Sequence, residues 1–164
     1  HKRTGLPLAT NMVVTNWDEL KRSLELGSVQ ILLSDHHYWG GLRATQSLAK
    51  VCQTFGLGLS MHSNSHLGIS LMAMTHLAAS VEHLTYACDT HYPWQQDEIL
   101  VEGKIPIQGG CVHLTDAPGL GIHIDQAQLA HLHQEFLKCR IRTRNDVVQM
   151  QRYRPDWTQV KPRF

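Results

Sequence analysis

The sequence predicts an α/β protein built on a parallel sheet, of the (β/α) barrel kind rather than the doubly wound kind. Short apolar runs alternate along the chain with segments whose apolar residues recur at helical spacing. Each run ends in polar residues, at Asn11, Asp35, His62 and His91, about 24 to 29 residues apart, the length of one βα unit. No glycine-rich GxGxxG turn follows any run, which counts against a dinucleotide-binding sheet.

The elements follow in order. Leu6 to Thr15 opens as an apolar run, with a strand near Leu8, and breaks at Thr10 and Asn11. Asn16 and Glu19 have capping-box spacing, and the helix they open puts Trp17, Leu20 and Leu24 on one face and stops at Gly27. Val29–Leu33 is the second strand, and the helix after Gly40-Gly41 shows Leu42, Leu48, Val51, Cys52 and Phe55. Leu57–Met61 is the third strand. His62-Ser63-Asn64-Ser65 then hands over to a helix bearing Leu67, Leu71, Met74 and Leu77 and reaching about Ser80. Capping by Ser63, Asn64 or Ser65 would need only one of the four polar residues, which favours a functional role for the stretch. Leu84–Cys88 is the fourth strand, ending in Asp89-Thr90-His91.

Beyond His91 the pattern changes. Ile105 to Leu114 reads as two extended segments around a Gly109-Gly110 hairpin turn, Ala117 to Ile122 as a loop, and Asp125 as the start of a helix to about Lys138. The basic stretch from Arg140 to Phe164 is irregular, limited by Pro155 and Pro162. The whole reads as a single partial domain, 1–164, with the strands in 6–91 and hairpin, helix and tail in 92–164.

Composition narrows the function. At 164 residues and a net charge of +1, with no Lys/Arg run, the chain implies no nucleic-acid or anionic-membrane partner. No apolar run approaches the roughly 20 residues of a membrane span. No signal-peptide pattern follows His1, so a cytoplasmic location is expected, and the chain reads as a piece of a longer one. The four cysteines form no CxxC pair. Cys52 and Cys88 fall in apolar segments, as buried thiols in a reducing compartment do.

The strand ends carry the chemistry. In an α/β barrel, catalytic residues project from the carboxyl ends of the strands. An Asp at the end of one strand and a His at the end of the next, Asp35 and His62, can meet across the mouth. The carboxylate would orient the imidazole and favour its protonated form. Asn11, one unit earlier, adds an amide oxygen of the type magnesium accepts. A zinc site at His62 and His66 lacks a further soft ligand placed to complete it.

These residues also carry a resemblance. Pro7 to Met12, Ser34-Asp35 to Arg43, Met61-His62-Ser63-Asn64-Ser65-His66 to Ser70, Asp89-Thr90-His91 and Pro118-Gly-Leu-Gly121 resemble the glucarate dehydratase group of the enolase superfamily. The likeness runs from about Leu6 to Arg144-Asn145-Asp146. His-Ser-Asn-x-His with Asp-Thr-His is fairly specific to that group, whereas Pro-Gly-Leu-Gly is spread across the superfamily. The resemblance implies the carboxyl-terminal half of an enolase-superfamily (β/α) barrel, TIM-barrel-like, followed by a tail returning toward a capping domain. It implies Mg2+ as cofactor with Asn11 as a metal ligand, and Asp35 and His62 as the catalytic dyad. It further places Asn11, His62, Ser63, Asn64, His91 and Arg144 around a hydroxy-diacid substrate. The His of that group removes the proton next to a carboxylate and assists departure of the neighbouring hydroxyl. The enolate between the two steps is stabilised by magnesium.

The group's Lys-x-Lys pair, its two acidic metal ligands and its capping domain have no counterpart in this sequence. Expected partners are therefore the missing amino-terminal part of the same chain, a small hydroxy-diacid, and further copies in a homo-oligomer. The expected activity is magnesium-dependent dehydration of D-glucarate or L-idarate. The alternatives are another aldarate dehydratase or epimerase, or a non-catalytic paralogue.

Overall fold

The computed structural model describes residues 1–63, 66–141, 143 and 145–160. Two compact units make up the chain, His1–Gln126 and Ala127–Phe164. The first is a half-barrel. Strands β1 (Ala9–Thr10), β2 (Ile31–Ser34), β3 (Gly58–Ser63) and β4 (Asp89–Thr90) lie in the order β1-β2-β3-β4, every pair parallel. Helices α1 (Trp17–Leu26), α2 (Leu42–Phe55) and α3 (Gly68–Ala79) connect them. Sequential order without a reversal is that of a barrel, since a doubly wound sheet changes direction at a switch point.

The local chemistry explains the helices. Asn16 Oδ1 accepts the Glu19 N–H at 3.0 Å and caps α1. The Glu19 carboxylate reaches back to the Thr15 N–H at 2.7 Å, so the box closes one residue earlier than the standard form. In α2 the buried face is Thr45, Leu48, Ala49 and Cys52, while Leu42 and Phe55 are exposed. The small Thr45 and Ala49 complete the 3.6-residue stripe that Leu42 and Phe55 fall outside.

α3 has an unexpected start. Its cap position is Leu67, whose side chain bonds nothing; of the three candidate caps Ser63 belongs to β3, and Asn64 and Ser65 lie outside the described residues. The Glu98 carboxylate instead accepts the Gly68 N–H at 3.1 and 3.2 Å, from 30 residues downstream. A negative group at a helix amino terminus satisfies an orphan donor and complements the dipole. The approach is close: a Cβ on Gly68 would lie 2.5 Å from Leu100 Cδ1 and 2.9 Å from Glu98 Oε2, so a larger residue would push both side-chain ends aside.

The fourth strand is shorter and later than expected. Its ladder forms at Asp89–Thr90, not at Leu84–Cys88. The Thr85 and Tyr86 N–H groups converge on one acceptor, Leu59 O, both at 3.1 Å. Thr85 Oγ1 takes the Leu59 N–H at 2.8 Å, and Ser60 Oγ donates to Ala87 O at 2.7 Å. Hydroxyls thus replace ladder bonds, and the segment runs beside β3 without becoming regular strand. Cys88 is consequently exposed, against the expectation of burial, while Cys52 is buried.

The core gathers Leu20, Leu32, Leu48, Leu59, Met61, Leu71, Leu77 and Tyr92. Among the described residues no helix is long and apolar enough to cross a membrane. The hairpin forms as expected: Gln108 and Cys111 exchange two bonds of 2.9 Å, and Gly109 and Gly110 both take the positive φ that a two-residue turn requires. Helix α4 spans Gln126–Lys138. The second unit adds the short helix α5 (Asp146–Gln151), capped by Asn145 Oδ1 on the Val148 N–H at 3.1 Å.

Candidate active site at the strand ends

β3 runs two residues further than the sequence implies, so His62 and Ser63 stand inside the strand. That extension exists because β4 pairs with them, His62 opposite Asp89 and Ser63 opposite Thr90. On the other side Ser34 pairs with Met61, so Asp35 and His62 are each the next residue along their strands. Register alone therefore sets Asp35, His62 and Asp89 in one row across the carboxyl ends. Asp35 and His62 are buried, and Asp89 is exposed.

The pairing within this row differs from the Asp35–His62 contact expected. His62 Nδ1 bonds Asp89 Oδ2 at 2.9 Å. An ionised carboxylate only accepts, so Nδ1 donates, and in the neutral ring the lone pair lies on Nε2. Asp35 Oδ1 accepts from His37, through the ring Nδ1 at 2.6 Å and through the backbone N–H at 2.9 Å. The reason lies in the chain after β2. It turns at once, with the Tyr38 and Trp39 N–H groups on Asp35 O, and folds His37 back over its own strand end. His62 meanwhile faces its register partner Asp89 directly.

A stack of imidazoles completes this corner. The His37 ring lies 4.0 Å from those of His36 and His66, and His37 Nε2 sits 2.9 Å from Ser70 Oγ. Burial, then the neighbouring His37, holds the His66 imidazole below its ordinary 6.5, and the same two causes lower His36. Among the described residues His62 and His66 gain no third donor that would complete a zinc site between them. His66 lies instead with His37 and Asp35, their donor atoms all within 4.8 Å of one another.

The remaining predicted residues divide. Asn11 follows β1 half-buried, in a turn set by Thr10 Oγ1, which accepts the Met12 and Val13 N–H groups, both at 3.1 Å. Ser63 is buried, its hydroxyl 3.1 Å from Thr90 Oγ1 and its carbonyl accepting the His91 N–H. His91 sits edge-on to His62, with ring centroids 5.5 Å apart, and its other face meets Trp94. Asn64 and Arg144 lie outside the described residues. As a magnesium donor Asn11 is of the right class, an amide oxygen. The donor cluster formed by Asp35, His37 and His66 is richer in nitrogen than magnesium prefers.

Three residues escaped the sequence reading: Asp89, His37 and Glu98. Asp89 stood in the polar end of its strand, and a register one residue longer would have set it beside His62. His37 follows Asp35 by two, the spacing of a carboxylate that bonds its own loop. Glu98 carried no local signal. Its carboxylate joins Gly68 to the Tyr92 hydroxyl and to the Ile99 N–H. Burial first, then that bond to Glu98, pushes the Tyr92 phenol up to about 12.

A parallel half-barrel with its ionisable groups at the strand ends is the framework of a known class, and the comparisons specify which. Residues 1–128 match the model of the enolase C-terminal domain-like family, and the chain belongs to that family. It is 53% identical over 165 residues to a protein of Streptomyces coelicolor described as a "Probable glucarate dehydratase", covering 99% of this chain and 38% of that one. It is 30% identical over 135 residues to D-galactonate dehydratase of Cronobacter sakazakii, covering 77% of this chain and 35% of that protein. Among solved structures, an enolase of Pseudomonas fluorescens with bound magnesium, potassium and tartrate superposes with a TM-score of 0.92. It is 67% identical over all of this chain and 39% of that one. An enolase of Gibberella zeae complexed with magnesium, formate and sulfate gives 0.89 at 48% identity, over 99% of this chain and 39% of that one. The chain thus spans well under half the length of these relatives.

Proposed function

We propose that this chain is the carboxyl-terminal part of a magnesium-dependent hydro-lyase that dehydrates D-glucarate or L-idarate to 5-dehydro-4-deoxy-D-glucarate. The observation that carries the reading is His62, buried at the end of β3 with Nδ1 held by a carboxylate. That arrangement supports a base acting through Nε2. The imidazole takes the proton from the carbon next to a substrate carboxylate. It returns a proton to the hydroxyl leaving the neighbouring carbon, so that one water departs and the enol product becomes the ketone. Asp89 holds the ring and stabilises its charged form. Asp35, next in the row, adds negative potential on the opposite side.

Magnesium, when bound, draws electron density from the substrate carboxylate and acidifies the adjacent C–H. Asn11 would be one of its ligands, with acidic partners in the preceding part of the protein. The relatives and solved neighbours support this cofactor class, because two of the neighbours named above hold magnesium. His91, Ser63, Asn64 and Arg144 are assigned to the diacid, Arg144 through its planar fork on the distal carboxylate.

The test is release of a keto-deoxy diacid by the full-length protein from a panel of aldaric and aldonic acids, with and without chelator. Activity confined to diacids and abolished by chelator is expected. Equal rates on both classes, or no effect of chelator, would overturn the assignment. A second reading, dehydration of an aldonic acid, draws on the galactonate dehydratase relative, and the same panel separates it.

A further inference from the structure

We propose that Asp35, His37 and His66 form a binding site for one divalent transition ion of the zinc class. The three residues come from two adjacent strand ends: Asp35 and His37 follow β2, and His66 precedes α3. One donor atom from each lies within 4.8 Å of the other two, and the His37 and His66 rings are stacked 4.0 Å apart, at 21°. Zinc bonds of about 2.0–2.2 Å place tetrahedral ligands about 3.3–3.6 Å apart, so the set closes by roughly an ångström. The His37 Nδ1–Asp35 Oδ1 pair, hydrogen-bonded at 2.6 Å, instead opens by roughly an ångström as the ion replaces the proton between the two atoms.

The chemistry selects the ion. Two imidazole nitrogens and one carboxylate oxygen suit zinc, cobalt or iron, whereas magnesium takes oxygen donors throughout. Asp35 is 1% exposed and His37 35% exposed by side chain, so the anionic ligand is shielded while an entry path remains open beside His37. Ser70 supplies the outer contact that metal-bound histidines use to fix their rings. When the ion takes Nδ1 of a neutral His37, the ring proton moves from Nδ1 to Nε2. The Ser70 hydroxyl then turns from donor to acceptor, and no net proton is lost. Three protein donors leave a fourth position for water or a substrate oxygen. Because the ion captures Asp35, zinc occupancy lowers turnover in the function proposed above. Binding itself is read without reference to turnover.

The experiment titrates the full-length protein with zinc by calorimetry in millimolar magnesium, and with cobalt(II) by its visible absorption. One equivalent bound despite the magnesium is expected. His37→Gln and His66→Gln should each weaken it by at least about 10-fold. His36→Gln removes a ring that stacks on His37 without belonging to the donor set, and should leave binding unchanged. No zinc uptake by the unaltered protein in magnesium would overturn the site, and that result does not depend on any variant folding. Undiminished uptake in both ligand variants, or an equal loss in His36→Gln, would overturn it too.

Discussion

The inner strands β2 and β3 and the edge strands β1 and β4 are built differently. The inner pair shares four register positions, and Leu59 and Met61 of β3 are completely buried. Each edge strand contributes two residues to the ladder, and Leu8 and Tyr86 beside them are 44% and 49% exposed. The inner strands hold His62 and Asp35 between two neighbours, while Asn11, Asp89 and His91 hang on strands that, among the described residues, have a neighbour on one side only. An unpaired edge is a template for another strand. The site is therefore firm at its centre and depends at its margins on whatever covers the edges.

The largest test of that contrast is His62→Asn in the full-length protein. Turnover should fall by about 10³–10⁴-fold with magnesium binding retained, measured by steady-state kinetics and metal titration. Near-normal turnover would move the base off β3. Leu59→Ala follows, since truncating a wholly buried side chain between packed elements costs about 2–5 kcal/mol. Leu8→Ala on the edge should cost about 0.5 kcal/mol or less. Urea denaturation of the two variants gives the comparison directly, and similar costs would erase the distinction between centre and edge.

Asp89→Asn probes the margin of the site. The amide can still meet the ring but no longer favours its charged form, so turnover should drop about 10²-fold while substrate KM changes little. A loss as large as that of His62→Asn would make Asp89 as central as the imidazole itself. Smaller again is Glu98→Gln. One amide oxygen cannot serve the Gly68 N–H, the Ile99 N–H and the Tyr92 hydroxyl together, and stability should fall by about 1–3 kcal/mol.

The gentlest perturbation is alkaline pH. The Tyr92 phenol is raised in the folded state from an ordinary 10.0 to about 12, so the folded protein holds this proton more tightly than the unfolded chain does. The stability it contributes is full below pH 10 and is lost as pH rises toward 12. Urea midpoints at pH 9 and pH 11 should converge in Tyr92→Phe relative to the parent. An unchanged gap would show that the phenol does not drive the loss.

Much of this was already legible in the chain. The alternation of apolar runs and helical stripes gave four parallel strands in sequential order, because a strand's apolar run and a helix's period are local properties. Asn16, Gly27 and Gly109-Gly110 acted where they stand for the same reason: caps and tight turns are made within a few residues. The polar end of β2 also follows from the sequence, since Asp35 stands where its apolar run stops, whereas β3 and β4 carry on into their polar residues.

Only the tertiary structure decided which polar groups meet. Sequence period set Asp35 and His62 one βα unit apart, but register, a property of two strands at once, put Asp89 opposite His62 and lengthened β3 to carry it. The turn after β2 gave Asp35 to His37, two residues away, where the sequence pointed 27 residues away. Glu98 begins α3 from 30 positions downstream, which no local pattern can announce. Hydrogen bonds within a turn or helix are fixed by neighbours in the chain, whereas a carboxylate's choice among imidazoles depends on distances that exist only once the sheet has closed around them.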